Sequence, residues 1–218
     1  MTDSTLSDWL ERLQSQHPVE IDLGLERVSA VARALNLVPA PIPTLTVAGT
    51  NGKGSVVAVL SSVLLAGGLG VGSYTSPHLV SFNERISVNG SPVSDQDLLA
   101  AFNAIEAARG DISLTYFEVA TLAGLWIFRE HEVDVQVLEV GLGGRLDAVN
   151  IIDADLTIIT SIGLDHMDWL GDDRGLIAVE KAGVARPDRP CVVAEHDPPA
   201  SLRRRLDDIG AEVSWISE

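Results

Sequence analysis

The sequence predicts an α/β fold, a mostly parallel sheet flanked by helices, on three observations. Short runs rich in β-branched residues (Leu45–Ala48, Val71–Tyr74, Val135–Val140, Leu156–Thr160, Cys191–Ala194) are largely apolar rather than strictly alternating, as strands covered on both faces are. Segments with helical spacing separate them. Between Val47 and Ser55 an apolar strand runs through a glycine-rich turn into a helix, the strand–loop–helix order that a phosphate-binding loop requires.

The elements follow in order. Trp9, Leu10 and Leu13 mark a short amphipathic helix before Pro18. A second helix is expected to start at Asp22-Leu23-Gly24-Leu25-Glu26-Arg27-Val28, with Val31, Leu35 and Leu37 at helical spacing. Pro39, Pro41 and Pro43 form a stiff connector into the strand at Leu45–Ala48. The helix Val56–Leu65 stops at Gly67-Gly68, and the strand Val71–Tyr74 follows. Asn89-Gly90 centres a hairpin within Arg85–Val93. Ser94 and Asp97 are spaced as a capping box opening a helix through Ala108. Phe117 to His131 is a longer helix, apolar around most of its girth. Glu180 and Lys181 fall on a further helix, Leu202–Ile209 on another, and Ala211–Trp215 reads as a strand.

Composition bounds the function. The 218 residues carry 31 acidic and 15 basic side chains, a formal net charge of -16, and are 46% hydrophobic. An acidic surface argues against nucleic acid or an anionic membrane as partner. One cysteine, Cys191, excludes an internal disulfide framework and suits a reducing compartment. The polar, acidic first residues predict no signal peptide. The uncharged stretch from Gly54 to Asn83 is broken by Gly67, Gly68, Gly70, Gly72 and Pro77, so it is expected to be a buried helix and strand rather than a membrane span. Together these place the chain in the cytoplasm.

The chemistry collects at strand ends, where ligands sit in open α/β sheets. In Gly49-Thr50-Asn51-Gly52-Lys53-Gly54-Ser55, glycines let backbone N–H groups approach a phosphate, the following helix end favours the anion, and Lys53 adds a full charge. The spacing departs from the general P-loop: two residues rather than four precede Gly-Lys, and Gly54 stands where the magnesium-binding hydroxyl belongs. Another residue must therefore hold the metal. Ser76 is the natural candidate, against a turn-forming serine before Pro77. Glu139 ends an apolar strand, where a carboxylate is costly unless it binds metal or forms a buried ion pair. His166 lies among Asp165 and Asp168; alone it reads as a surface or hydrogen-bonded histidine. Ser76, Glu139 and His166, with open water positions, suit Mg²⁺. The run Gly141–Asp147 is either a backbone approach to a ligand, with Arg145 pairing a carboxylate or phosphate, or a flexible loop. Lys181, from chemistry alone, reads as a solvated charge.

Taken together, Thr46–Ser55, Thr75-Ser76-Pro77-His78-Leu79, Leu138–Ala148, Thr160–His166 and Glu180-Lys181-Ala182-Gly183 resemble, in order and spacing, the folylpolyglutamate synthase family within the Mur ligase superfamily. Ile21–Arg27 and Ile112–Glu118 are similar to the bifunctional bacterial subtype that is also a dihydrofolate synthase. The resemblance implies that Thr50, Asn51, Gly52, Lys53, Gly54 and Ser55 hold the ATP phosphates. It implies that Ser76, Glu139 and His166 hold magnesium, and that Lys181 is carbamylated and helps organise a second magnesium. It makes Lys53, His166 and Lys181 the catalytic set. Asp22, Leu23, Gly24, Leu25, Thr115, Tyr116, Phe117, Glu118 and Arg145 would contact the substrate, since an aromatic pair beside a carboxylate suits a flat pterin with polar edges.

The implied reaction is ATP-dependent amide formation through an acyl phosphate, adding L-glutamate to dihydropteroate or to reduced folates. The implied organisation is N-terminal helices over 1–43, lining the pteroate site, and a P-loop ATP-binding domain over 44–218. The family's C-terminal ligase domain is expected to lie outside this sequence and the ATP-binding domain to be truncated, so the chain is expected to be a fragment with little or no turnover, and a monomer. Two alternatives stand beside this: another Mur-type amino-acid ligase, and a nucleotide-binding module without catalysis. No Asn-Lys-x-Asp motif supports a switch GTPase.

Overall fold

The computed structural model describes residues 5–19, 21–164, 169 and 171–216. Within these, eight strands form one sheet in the order β4-β3-β2-β5-β1-β6-β7-β8. They are β1 (Thr44–Ala48), β2 (Val71–Tyr74), β3 (Ile86–Val88), β4 (Ser91–Pro92), β5 (Val135–Glu139), β6 (Leu156–Ile159), β7 (Pro190–Val193) and β8 (Glu212–Trp215). Six of them pair in parallel with one another, and the β2–β3 and β3–β4 pairs are antiparallel, so that only β3 runs against the rest. β1 lies at the centre, with Val47 beside Glu139 of β5 and beside Ile158 of β6. The carboxyl ends of β1, β2, β5 and β6 therefore open on one edge, where the expected site residues gather.

The helices are α1 (Leu6–Ser15), α2 (Glu26–Ala34), α3 (Lys53–Ala66), α4 (Asp95–Arg109), α5 (Tyr116–Glu130), α6 (Arg174–Ala182) and α7 (Ala200–Ile209). Strand alternation divides the core. Leu138 and Tyr74 point into a large cluster with α1, α2, α4 and α5, whereas Val47, Val135 and Val137 point to the α3 face. Ile159 and Val193 pack under α6 and α7. The expected capping box is formed: Ser94 Oγ accepts from Asp97 N–H at 3.1 Å and Asp97 Oδ2 accepts from Ser94 N–H at 3.0 Å. The hairpin turns on Asn89 and Gly90, both left-handed (φ 52° and 78°), as a two-residue turn of matching twist requires.

One boundary differs. α2 starts at Glu26, four residues later than expected. Arg27 donates to the Asp22 carbonyl at 2.7 Å and pairs with its carboxylate at 2.6 Å. Residues 22–25 thus stay outside the helix, as a loop facing the sheet edge.

Candidate active site

The phosphate-type loop is braced by its neighbour strand. Gly49 has φ 142°, and a Cβ there would run into Thr160 Oγ1, so no other residue fits. Thr50 N–H donates to the Ser161 carbonyl at 2.7 Å, Asn51 N–H to Ser161 Oγ at 3.1 Å, and Thr160 Oγ1 to the Asn51 carbonyl at 2.7 Å. Gly52, left-handed at φ 84°, caps α3, so Lys53 opens the helix. The Lys53 ammonium curls back onto the loop, donating to the carbonyls of Gly49 (2.9 Å) and Thr50 (3.2 Å). Lys181 reaches the same Gly49 carbonyl at 3.1 Å and is 2% exposed. The reading of Lys181 as a solvated charge is thus corrected: α6 packs against the loop and takes the lysine inside. Two ammonium groups beside a helix N-terminus make a concentrated anion site.

Glu139, at the end of β5, is 5% exposed. Its Oε2 accepts from Ser76 N–H at 3.2 Å, and its carboxylate lies against the first turn of α3 beside Gly54. Burial raises its pKa, against the lowering effects of the Ser76 N–H and the Lys53 charge. A buried carboxylate beside a serine is a hard-oxygen donor set that fits Mg²⁺. His166 lies outside the described residues. Among the described residues no three His, Cys, Asp or Glu side chains converge as a metal cluster.

A cavity of about 510 Å³ joins this edge to a second set of residues. One end is Thr50, Asn51, Lys53 and Ser76; the other is Asp22, Leu23, Gly24, Thr115, Phe117 and Glu118. Thr115 and Glu118 also cap α5 reciprocally: Thr115 Oγ1 accepts from Glu118 N–H (3.2 Å) and Glu118 Oε2 from Thr115 N–H (2.7 Å). Glu118 Oε1 accepts no hydrogen bond and lies 3.3 Å from Arg27 Nη2. Three expected contacts fall elsewhere. Leu25 is the N-terminal boundary residue of α2. Tyr116 lines a neighbouring cavity of about 600 Å³ with His17, His78, Arg85 and Phe117. Arg145 turns outward to Glu180 Oε1 (2.9 and 3.0 Å).

The run 141–147 is not a flexible loop. A Cβ on Gly141 would lie 2.5 Å from Phe117 Cζ, and one on Gly144 2.7 Å from the Glu180 carbonyl, so α5 and α6 clamp it. Asp147 holds it from within, a role the sequence reading did not assign. Its Oδ2 accepts from Gly141 N–H (3.0 Å) and Leu142 N–H (2.8 Å), and Oδ1 from Val149 N–H (2.9 Å). Burial pushes its pKa up to about 6 despite these bonds. The available signal was an Asp directly before the apolar turn at Ala148–Ile151, an N-cap position. Arg85, at the wall between the two cavities, gave no such signal.

No family model matches the chain. It is 52% identical to the dihydrofolate synthase/folylpolyglutamate synthase of Escherichia coli (strain K12) over 209 residues, 95% of this chain and 49% of that protein. It is 45% identical to the Haemophilus influenzae protein of the same description, over 99% of this chain and 50% of the relative. Among solved structures it is similar to E. coli FolC in complex with DHPP and ADP (TM-score 0.94, 52% identity, 97% of this chain and 51% of that one). It is also similar to the bifunctional folylpolyglutamate synthase/dihydrofolate synthase of Yersinia pestis complexed with AMPPNP and Mn ion (TM-score 0.92, 52% identity, 97% and 52%). The chain spans about half the length of the curated relatives it matches.

Proposed function

We propose, from the premise that this chain belongs to the dihydrofolate synthase/folylpolyglutamate synthase family, that it serves an ATP-dependent ligase joining L-glutamate to dihydropteroate and to reduced folates. The observation that carries the reading is the single cavity with Lys53, Ser76 and Thr50 at one end and Phe117, Glu118 and the Asp147-held loop at the other. Residues 44–218 hold the nucleotide, and residues 1–43 contribute Asp22, Leu23 and Gly24 to the pteroate end.

In this reading the N–H groups at residues 50–55, the N-terminus of α3 and Lys53 bind the triphosphate. Ser76, Glu139 and His166 would hold Mg²⁺, which when bound offsets the charge of the phosphates. Phe117 offers an aromatic ring to the flat pterin, and Glu118 an acceptor for its N–H edge. Thus held, the substrate carboxylate faces the γ-phosphate for in-line transfer, and the glutamate amine then displaces phosphate from the acyl phosphate. Lys181, packed on the Gly49 carbonyl, is the residue for which carbamylation is proposed, with a second Mg²⁺ as its partner; mass measurement of the intact protein in bicarbonate, with an expected gain of one CO₂, tests this. The chain acts in the cytoplasm as a monomer. Its single cysteine is buried, and no helix among the described residues is long and apolar enough to cross a membrane.

The test is phosphate release by the full-length protein. Release is expected only when ATP, L-glutamate and either dihydropteroate or tetrahydrofolate are all present. Nucleotide binding without acceptor-dependent release, or a preference for a cell-wall nucleotide acceptor, would replace this reading.

A further inference from the structure

The wall between the two cavities holds a charge that the protein does not answer. Arg85 is 8% exposed and lines both. Its guanidinium lies over the rings of Phe82 and Tyr116, at 5.8 and 5.5 Å. Its Nε donates to His78 Nδ1 at 2.8 Å. That nitrogen is a hydrogen-bond acceptor and brings Arg85 no carboxylate. The Tyr74 hydroxyl, whose pKa burial raises, also meets Arg85 by charge and hydrogen bond, but as a neutral group it supplies no counter-charge. Among the described residues no carboxylate pairs with Arg85, and each nearby one is taken. Glu84 accepts from the N–H groups of Leu79, Val80 and Ser81. Asp22 pairs with Arg27, Glu118 with Thr115 and Arg27, and Asp147 with three backbone N–H groups. A buried guanidinium without a counter-charge is costly, and a ligand carboxylate is the group that its planar fork fits.

The position narrows which carboxylate. The Arg85 carbonyl accepts from Thr75 N–H at 2.8 Å and its side chain reaches His78, so Arg85 straddles Ser76–Pro77. It thus lies beside Ser76 and Pro77, which line the same cavity as Lys53, while its guanidinium reaches the Tyr116 ring of the neighbouring one. Yet a carboxylate that must attack phosphorus is poorly served by a two-pronged clamp that ties up its lone pairs. A second, non-reacting carboxylate close to the first satisfies both conditions. We propose that Arg85 is the receptor for the α-carboxylate of a substrate that already bears glutamate, and so a specificity residue for chain extension over first addition. The inference rests on the folate reading above, in which dihydropteroate brings one carboxylate and a folate brings two.

The test is binding to the full-length protein, by titration of ligand fluorescence, of three probes: pteroate, folate, and folate with its α-carboxylate converted to a carboxamide. The unmutated protein should bind folate about tenfold or more tighter than the α-amide, as a charged hydrogen-bonded contact implies. Arg85→Met should weaken folate at least about tenfold more than it weakens pteroate, and Arg85→Lys should fall between. Equal affinity for folate and its α-amide, or equal weakening of pteroate and folate, overturns the proposal. If Arg85→Met does not fold, the α-amide comparison and Arg85→Lys decide the question. Pteroate binding without the discrimination removes this inference alone; failure of the unmutated protein to bind pteroate at all removes it together with the folate reading.

Discussion

The two ends of the 510 Å³ cavity are built in opposite ways. The Lys53 end comes mostly from one unbroken stretch (strand, Gly49 to Gly52, then the first turn of α3), with Ser76 added from beyond β2. Its groups are mostly backbone, and its braces, Thr160 and Ser161, lie on the adjacent strand end. The Phe117 end comes from three segments well separated in sequence, at 22–24, 115–118 and 141–148. Its groups are side chains whose charges are settled by partners, such as Arg27 for Asp22 and Glu118. A backbone site tolerates little change in shape. A side-chain site tolerates little change in charge.

The largest expected effect separates the two ends by activity. Lys53→Met should lower phosphate release by roughly 1000-fold with every acceptor, because it removes a charge from the transferring group. Glu118→Gln should raise KM for the pteridine acceptor about tenfold while leaving KM for ATP unchanged. Equal losses from both substitutions in both constants would erase the distinction.

The next effect tests shape against conformation within the loop. Gly49→Ala meets Thr160 Oγ1 and a forbidden φ, whereas Gly52→Ala meets open space at φ 84°. Thermal melting should show a loss of about 3 kcal/mol or more for the first and about 1 kcal/mol for the second. Similar losses would mean that the brace from β6 contributes little.

The smallest effect concerns charge at the other end. The Asp147 pKa is raised from 3.8 to about 6. Below pH 3.8 the group is protonated in folded and unfolded chains alike. As pH rises towards 6 the unfolded chain ionises first, so stability is lost across that window. The melting temperature of Asp147→Asn, relative to the unmutated protein, should therefore rise between pH 4 and pH 7, by the equivalent of about 2 kcal/mol. A constant difference would show that the N–H donors of Gly141, Leu142 and Val149 fully offset burial.

This contrast also explains what was legible in the sequence. The strand order of chemistry, the Ser94 cap, the Asn89-Gly90 turn and the Lys53 loop are local signals, readable over a few residues. Glu139 was legible because a carboxylate in an apolar run is anomalous. The start of α2 was misjudged because Arg27, rather than propensity, decides the fate of Asp22. Thr115 and Glu118 carry the spacing of a capping box, so their shared structural duty was visible but obscured by the aromatic pair between them. Lys181 and Arg85 were not legible as buried, because only tertiary packing takes them from water. Arg145 faces out because Glu180 waits across the loop, a pairing over 35 residues that no local pattern announces.

The clamp on residues 141–147 bears on any attempt to retarget this molecule. Gly141 and Gly144 admit nothing larger than hydrogen, since a ring lies against one and a helix backbone against the other. Room for a bulkier acceptor must therefore be carved from Leu142, Leu146 or Phe117, while the ribbon that carries the first two stays fixed.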